Sequence, residues 1–543
     1  MSASFYITTS IPYVNAAPHL GHGLEFVQAD VFARYHRLRG ADTRLLSGTD
    51  DNSLKNVRAA ERAGVPVRDL VDGYARVFRD LLGALDVSPD DFIRTSADPR
   101  HREGVNRLWR VLDRKGDIYR RHYRGLYCVD CEQFYTPDEL ADGRCPDHGT
   151  APEVVEEQNH FFRLSRYGEA LTRVLDEGRL RIIPESRANE VRAFVAGGLQ
   201  DFSISRSRAR ARGWGIAVPG DPEQVMYVWF DALANYITAL GYGAAAPGGD
   251  APYRHFWAGA GPRVHAIGKG ILRFHAVYWP AMLLAAGEPL PDTLFVHGYL
   301  TGGGQKFSKS LGNGVDPVAL VERYGVDPVR YWLLRDVPPT EDADFTAERL
   351  ERRYTADLAN DLGNLLQRTV SLLHRYRAGR LPGPDGDRPA PGGPEPGPGG
   401  GAPAVAAVAA DAVGRLHAAL GAYDPREALV AIWDLVGRAN RYVEETAPWA
   451  LARREREGDP AAGAALDRVL ATLAESLRLA GEALRPLLPR TGEAVLTQLG
   501  LSPAADWPEA LRWGRLPAGT VVPRPRPLFP RLTERLAILG VDP

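Results

Sequence analysis

The strand-like run Phe5 to Thr9 passes through Pro12-Tyr13-Val14-Asn15-Ala16-Ala17-Pro18 into a segment of helical spacing, and this junction limits the fold most. Leu20, Leu24, Val27, Val31 and Tyr35 recur at three- or four-residue steps, the period of one helix face. A strand feeding a helix through a short turn is the unit of a parallel α/β sheet. Pro18 suits a first helical turn, where a missing N–H costs nothing. His19 and His22 then fall on one face of a helix N-terminus, where unpaired N–H groups and the dipole favour phosphate. Gly21 between them would let an anionic ligand approach the backbone.

A second cationic feature lies far downstream. Lys306-Phe307-Ser308-Lys309-Ser310 follows Gly302 to Gly304, and reads as a mobile, glycine-hinged loop presenting two ammonium groups. The chain has 5 lysines against 61 arginines, so two lysines in one pentapeptide point to a geometric requirement. An ammonium is a compact point charge that can follow a shifting polyphosphate better than a planar fork. The ordinary alternative is a solvated basic loop.

At 543 residues the chain has room for several domains, and a net charge of -2 rules out a globally basic nucleic-acid binder. No long apolar run and no charged-then-apolar leader is evident, so a soluble, cytoplasmic protein without membrane contact is expected. All 3 cysteines cluster, as Cys128-x-x-Cys131 and then Cys145-x-x-His148. Three thiolates and one imidazole at this spacing can close a tetrahedral structural Zn²⁺ site. The alternative is a pair of turn-forming thiols.

Thr43 to Thr49 predicts a second strand, ending in Asp50-Asp51-Asn52-Ser53. A polar cluster at a strand's carboxyl end is either a ligand site or an ordinary helix cap before Leu54. Alternating arginines at 206, 208, 210 and 212 suggest one basic face of an extended segment, for RNA backbone or for solvent. Tyr227 to Tyr236 reads as an aromatic strand passing into a helix at Asp231, with Leu233 and Tyr236 on one face. From about 351 the pattern is helical, interrupted by a Pro/Gly-rich stretch at 381–404 that is expected to be a flexible loop. Asn364 and Arg368 share a helix face and Trp449 follows Ala447-Pro448 at a helix start; surface amide, ion-paired arginine and core tryptophan are the plain readings.

His19-Leu20-Gly21-His22 together with Lys306-Phe307-Ser308-Lys309-Ser310 resembles the two signatures of the class I aminoacyl-tRNA synthetases, and the whole chain resembles their methionyl branch. The resemblance implies an α/β fold with a Rossmann-type parallel sheet, a zinc-knuckle insertion and an all-α anticodon-binding domain. It implies sheet halves at 1–115 and 221–300 around an insertion at 116–220. A loop and stem-contact segment at 301–350, a helical domain at 351–505 and a tail at 506–543 folding back toward the catalytic core follow. Implied catalytic residues are His19, His22, Lys306 and Lys309. ATP, with Mg²⁺, would meet Gly21, Glu25, Gly268, Leu300, Ser308 and Lys309. L-Methionine would meet Ile11, Tyr13, Asp50, Trp229, Leu233, Tyr236 and His275, with Asp50 gripping its ammonium. The same resemblance supports Zn²⁺ on Cys128, Cys131, Cys145 and His148, and reading of the anticodon of elongator and initiator tRNA(Met) by Asn364, Arg368 and Trp449. A monomer is expected.

The chain departs from the family pattern at several points. It has Asp51-Asn52-Ser53 where Glu-His-Gly is usual, Gly270 where an aspartate helps hold the nucleotide ribose, Phe307 for methionine and His148 for a fourth cysteine. With Gly270, ribose binding would lean on Glu25, backbone groups or water. The insertion is too short for a large editing domain, so homocysteine must be rejected in the synthetic site, through sulfur contacts with Tyr13 and His275. The variants resemble a second bacterial subtype. Alternatives are another class I specificity, an adenylate former of a biosynthetic pathway, and a catalytically altered paralogue that resists inhibitors or only binds RNA.

Overall fold

The computed structural model describes residues 4–129, 133–135, 137–146, 149–306, 314–382 and 401–532. The chain forms two compact units, residues 1–29 with 41–299, and residues 30–40 with 300–543.

A six-stranded sheet organises the first unit, in the order Asp91–Arg94, Asp42–Thr49, Ser4–Thr9, Arg263–Gly268, Thr293–His297, Arg181–Ile183. Every neighbouring pair is parallel. Ser4–Thr9 is buried along its whole length, as a central strand covered on both faces must be. The next two strands of the sheet in chain order, Asp42–Thr49 and Asp91–Arg94, lie to one side of it and the remaining three to the other, so the strand order switches between Ser4–Thr9 and Arg263–Gly268. Ligands of open α/β sheets bind outside the carboxyl ends at such a point. The helix Leu20–Leu38 follows the central strand. Leu20, Leu24, Val27, Val31 and Tyr35 are all buried.

The range expected as an insertion begins with a long antiparallel pair, Ile118–Cys128 with Glu153–Phe162, flanked by Gln133–Tyr135 and Phe202–Ser203. Part of that range belongs to the core instead, because Arg181–Ile183 forms the edge of the parallel sheet. The alternating arginines do not form an extended basic face. Only Ser205–Ser207 is strand, and Arg206 is buried with its guanidinium 4.1 Å from the Tyr127 ring centroid and 4.6 Å from that of Tyr227. Arg210 stands 4.7 Å from the same Tyr127 ring. A guanidinium is weakly hydrated and stacks on aromatic faces, which outweighs a strand's alternation here.

The second unit opens with a hairpin, Leu300–Gly302 with Gln305–Lys306, and Leu300–Gly302 also pairs with Ala343–Phe345. The glycines act as a fixed turn rather than a hinge. Gly303 and Gly304 have φ of 63° and 74°, the left-handed values a two-residue type I′ connection needs. Asp344 accepts from Gly304 N–H at 2.8 Å and from the Thr301 hydroxyl at 2.7 Å, which ties the turn down.

Helices fill the rest of this unit, and several open on an Asp-Pro pair. Asp316, Asp424 and Asp459 cap helices that begin at Pro317, Pro425 and Pro460, each side chain accepting a first-turn N–H. Among the described residues one helix, Ala402–Gly421, is long and apolar enough by length and composition to cross a membrane, a property that core helices share. Its apolarity is largely alanine, and the helix packs Val405, Ala409, Leu416 and Leu420 inward while Arg415 pairs with Glu427 at 2.6 Å. Deep in the unit, Arg330 Nη2 meets Asp30 Oδ2 at 2.8 Å and its Nε donates to the Leu487 carbonyl at 3.0 Å. Both side chains are 0% exposed. The tail packs within this unit as far as it is described: Trp507 Nε1 donates to the Glu482 carbonyl at 2.8 Å, and the Tyr354 hydroxyl to that of Pro530 at 2.7 Å. Residues 383–400 of the expected loop, and 533–543, lie outside the described residues.

Candidate functional site

The His19 carbonyl accepts from the N–H groups of His22 and Gly23, so His19 caps the helix and Pro18 stands just before it. The His19 N–H donates to His22 Nδ1 at 3.1 Å, and the Gly21 N–H to His19 Nδ1 at 3.1 Å. Two first-turn amides therefore fix both rings in the tautomer that carries its proton on Nε2. The rings lie 4.0 Å apart, and His22 packs edge-on against Phe78. Burial, reinforced by the neighbouring His19, holds the His22 pKa well below the ordinary histidine value. Both histidines thus offer an N–H donor at a helix N-terminus. Gly21 has a tighter reason than ligand approach: a Cβ there would stand 2.9 Å from the His19 ring.

Glu25, one turn on, joins three elements at the switch point. Its Oε1 accepts from the Ser10 N–H at 2.8 Å and the Ser10 hydroxyl at 2.6 Å, and its Oε2 lies 2.9 Å from His297 Nε2. Both oxygens are engaged in holding the crevice together. Gly268 ends its strand beside that ring, and a Cβ at 268 would touch the His297 imidazole at 3.4 Å. At Gly270 the space a side chain would need is taken, since a Cβ would meet the Tyr299 hydroxyl at 2.0 Å. Lys269 lies 4.6 Å from the Tyr299 ring centroid.

The expected amino-acid pocket is brought together in the same unit. Asp50 is 2% exposed; its N–H donates to the Pro12 carbonyl at 2.9 Å, and its residue bridges Tyr13. Ile11 and Tyr13 pack against the core cluster that holds Trp229, Leu233 and Tyr236. The helix here starts at Val228, earlier than the sequence pattern suggested, which puts Trp229 on it. Trp229 stacks on Phe274 at 3.7 Å and meets Tyr13 edge-on at 6.4 Å. His275 directs Nδ1–H to the Ile271 carbonyl at 3.0 Å, so Nε2 accepts from the Tyr236 hydroxyl at 2.6 Å. Burial raises the Tyr236 pKa, with the charges of Glu25 and Asp50 adding to it. With both ring nitrogens engaged, His275 offers the pocket a ring edge.

Burial pushes the His275 pKa down to about 4. A histidine with a depressed folded pKa contributes full stability above its unfolded value and loses it as pH falls toward the folded one. Replacing His275 with glutamine is expected to remove about 2 kcal/mol of the stability lost between pH 7 and pH 5. Urea unfolding of both chains at the two pH values checks this.

The loop after Asp50 resolves the choice between cap and ligand site residue by residue. Ser53 is the cap, accepting from the Lys55 N–H at 2.9 Å. Asp51 is buried and structural: Arg94 Nη2 donates to it at 2.8 Å, Ser96 at 2.7 Å and Thr49 at 2.8 Å. Burial still raises its pKa above the carboxylate norm, against the opposing pull of Arg94. Asn52 reaches Asp231 at 2.6 Å, a partner the sequence did not indicate. His101, His265 and His297 were also missed. For His297 a signal existed, since it ends a strand at the carboxyl edge of the sheet.

Cys128 and Cys145 come together in one small buried cluster with Tyr135. Cys131 and His148 lie outside the described residues, and no group of three or more potential metal ligands occurs among the described ones. In the second unit Leu300 is a buried strand residue, and the backbone of Lys306 pairs with Thr301. Phe307, Ser308, Lys309 and Ser310 lie outside the described residues. Asn364 is exposed, Arg368 pairs with Glu444 at 2.7 Å, and Trp449 is 45% exposed rather than a core residue.

A parallel sheet with a paired-histidine helix start at its switch point, accompanied by a helical carboxyl-terminal unit, is the architecture of a class I aminoacyl-tRNA synthetase. Residues 5–151 and 135–370 match the family described as tRNA synthetases class I (M), and residues 394–537 the anticodon binding domain of methionyl tRNA ligase. The methionine–tRNA ligase of Caldanaerobacter subterraneus is 43% identical over 542 residues, covering 100% of this chain and 81% of that one. The enzyme of Mycobacterium bovis is 42% identical over 535 residues, covering 97% and 98%. The crystal structure of Mycobacterium tuberculosis methionyl-tRNA synthetase bound by methionyl-adenylate superposes with a TM-score of 0.89 at 40% identity, covering 97% of this chain and 100% of that one. The chain belongs to the methionyl-tRNA synthetase family, whose members are methionine–tRNA ligases.

Proposed function

We propose that this chain activates L-methionine with ATP, releasing pyrophosphate, and transfers the methionyl group to the 3′ adenosine of tRNA(Met). The observation that carries the reading is the pair of histidines held through Nδ1 at the helix start, in the same unit that gathers Asp50, Tyr13, Trp229 and His275. The methionine carboxylate attacks the α-phosphorus in line, and the bond to pyrophosphate breaks. Positioning and charge stabilisation supply most of the catalysis in such transfers. His19 and His22 hold phosphate oxygens, Lys306 and Lys309 balance charge as it moves to the leaving pyrophosphate, and Asp50 holds the substrate ammonium. Ile11, Tyr13, Trp229, Leu233, Tyr236 and His275 enclose the thioether side chain, where sulfur–aromatic contacts add modestly. Mg²⁺ bound with ATP would neutralise phosphate charge. The terminal adenosine hydroxyl then attacks the mixed anhydride and AMP leaves.

Cys128, Cys131, Cys145 and His148 would hold a structural Zn²⁺, and the shared burial of Cys128 and Cys145 supports that assignment. Asn364, Arg368 and Trp449 would read the anticodon, an exposed indole being what a splayed base stacks on.

Pyrophosphate exchange into ATP, measured with each of the twenty amino acids and no tRNA, tests the reading. Exchange with methionine alone is expected. Silence with all twenty would overturn it in favour of an RNA-binding paralogue.

A further inference from the structure

Asp231 is 0% exposed, and both of its carboxylate oxygens have partners. Oδ1 lies 2.5 Å from His101 Nε2, and Oδ2 accepts from Asn52 Nδ2 at 2.6 Å. The other His101 nitrogen is 2.9 Å from the Thr238 hydroxyl, so the imidazole is held at both ends. Asn52 faces two ways: its side chain grips Asp231, and its N–H donates to Asp50 Oδ1 at 3.3 Å. Asp231 sits on the helix that carries Trp229 and Leu233, while Asp50 and Asn52 follow the strand Asp42–Thr49. One amide therefore links the carboxylate wall of the pocket to its aromatic wall.

A buried carboxylate is costly unless its oxygens are satisfied, and an apolar residue of similar volume would hold the helix as well. The loop is also pinned at its other carbonyls, by Asn56 Nδ2 on Asp50 and Asp51 and by the Trp214 indole on Asp51. Its backbone does not need Asn52 for stability. What Asn52 adds is a fixed distance between Asp50 and the helix bearing Trp229.

We propose that Asn52, through Asp231 and His101, is a positioning residue for amino-acid recognition: it sets Asp50 against the aromatic wall so that a substrate's ammonium and side chain are bound together. The inference rests on the methionine reading of this pocket. Asn52→Asp places a second carboxylate against Asp231 and removes the donor. It is expected to raise the KM for methionine in pyrophosphate exchange about ten- to a hundredfold, the worth of a hydrogen bond to a charged group, with the KM for ATP little changed. Asn52→His puts a ring N–H close to the amide nitrogen's place and is expected to restore most of the methionine affinity. Asn52→Ala, which adds no charge, carries the same test if the aspartate variant does not fold. A wild-type chain silent with methionine would overturn the functional reading and this inference with it. An active wild type whose aspartate and alanine variants keep the methionine KM within twofold would overturn this inference alone.

Discussion

Replacing His22 with alanine is expected to lower kcat/KM for ATP in methionine-dependent pyrophosphate exchange by about 10²- to 10³-fold, the range for losing one preorganised donor at a developing charge. The expectation follows from how the ring is held. Nδ1 is occupied by the His19 N–H at 3.1 Å, which leaves the Nε2 proton as the group His22 can present. Asparagine at 22 would keep an acceptor near the Nδ1 position but supply no donor at Nε2, so it should resemble alanine. Glutamine can place an N–H near Nε2 and should retain more activity than either. Because burial holds the His22 pKa well below the ordinary value, its proton stays in place across neutral pH, and the rate should not follow a histidine titration between about pH 6 and 8. A loss of less than tenfold for the alanine variant would show that His22 does not hold the transferring phosphates.

The largest effect on stability is expected at Arg330. Alanine there would leave Asp30 buried with one of its two guanidinium partners gone, Arg34 remaining at 2.7 Å, and would strip a donor from the Leu487 carbonyl. Removing one member of a fully buried pair costs about 3–5 kcal/mol when the other charge is left uncompensated, and because Arg34 keeps part of the compensation the loss is expected at the lower end, about 3 kcal/mol. Replacing both members, as Arg330→Met with Asp30→Leu, should recover most of that loss, since well-packed apolar groups of similar volume are often neutral there. Urea unfolding followed by tryptophan fluorescence separates the two variants. Equal losses for the single and the double change would mean that shape, not charge, sets the value of the pair.

The sheet core and the histidine-bearing helix start were legible because they obey local rules. Phe5 to Thr9 is apolar enough to be a central strand, and the three- and four-residue steps from Leu20 to Tyr35 mark a buried helix face. His19 and His22 inherit their position from that helix. Partnerships across long sequence separations were not legible. Asn52 and Asp231 are 179 residues apart, and nothing in the Asp-Asp-Asn-Ser stretch distinguishes the residue that pairs with arginine from the one that reaches a distant helix. The arginines from 206 to 212 misled for a similar reason: Tyr127, on the strand Ile118–Cys128, and Tyr227, just before the helix at Val228, decide that Arg206 stacks inside. The glycines before Lys306 misled because composition shows freedom but not the turn that uses it; left-handed Gly303 and Gly304 spend that freedom on a tight hairpin.

Positive charge in this chain is written almost wholly as arginine, and the few lysines are placed unevenly. Lys55 lies 4.9 Å from the Tyr13 ring centroid at the pocket, Lys269 stands over Tyr299 at the crevice, and Lys306 and Lys309 belong to the segment proposed to face pyrophosphate. Only Lys115, donating to the Ala285 carbonyl at 2.7 Å, serves the scaffold alone. Apart from the terminal α-amine and Lys115, the primary amines, which acylating reagents and reductive alkylation attack, thus belong to the places where the reaction is proposed to occur. Reagents that scatter label over an ordinary lysine-rich surface would act on this protein almost as affinity probes.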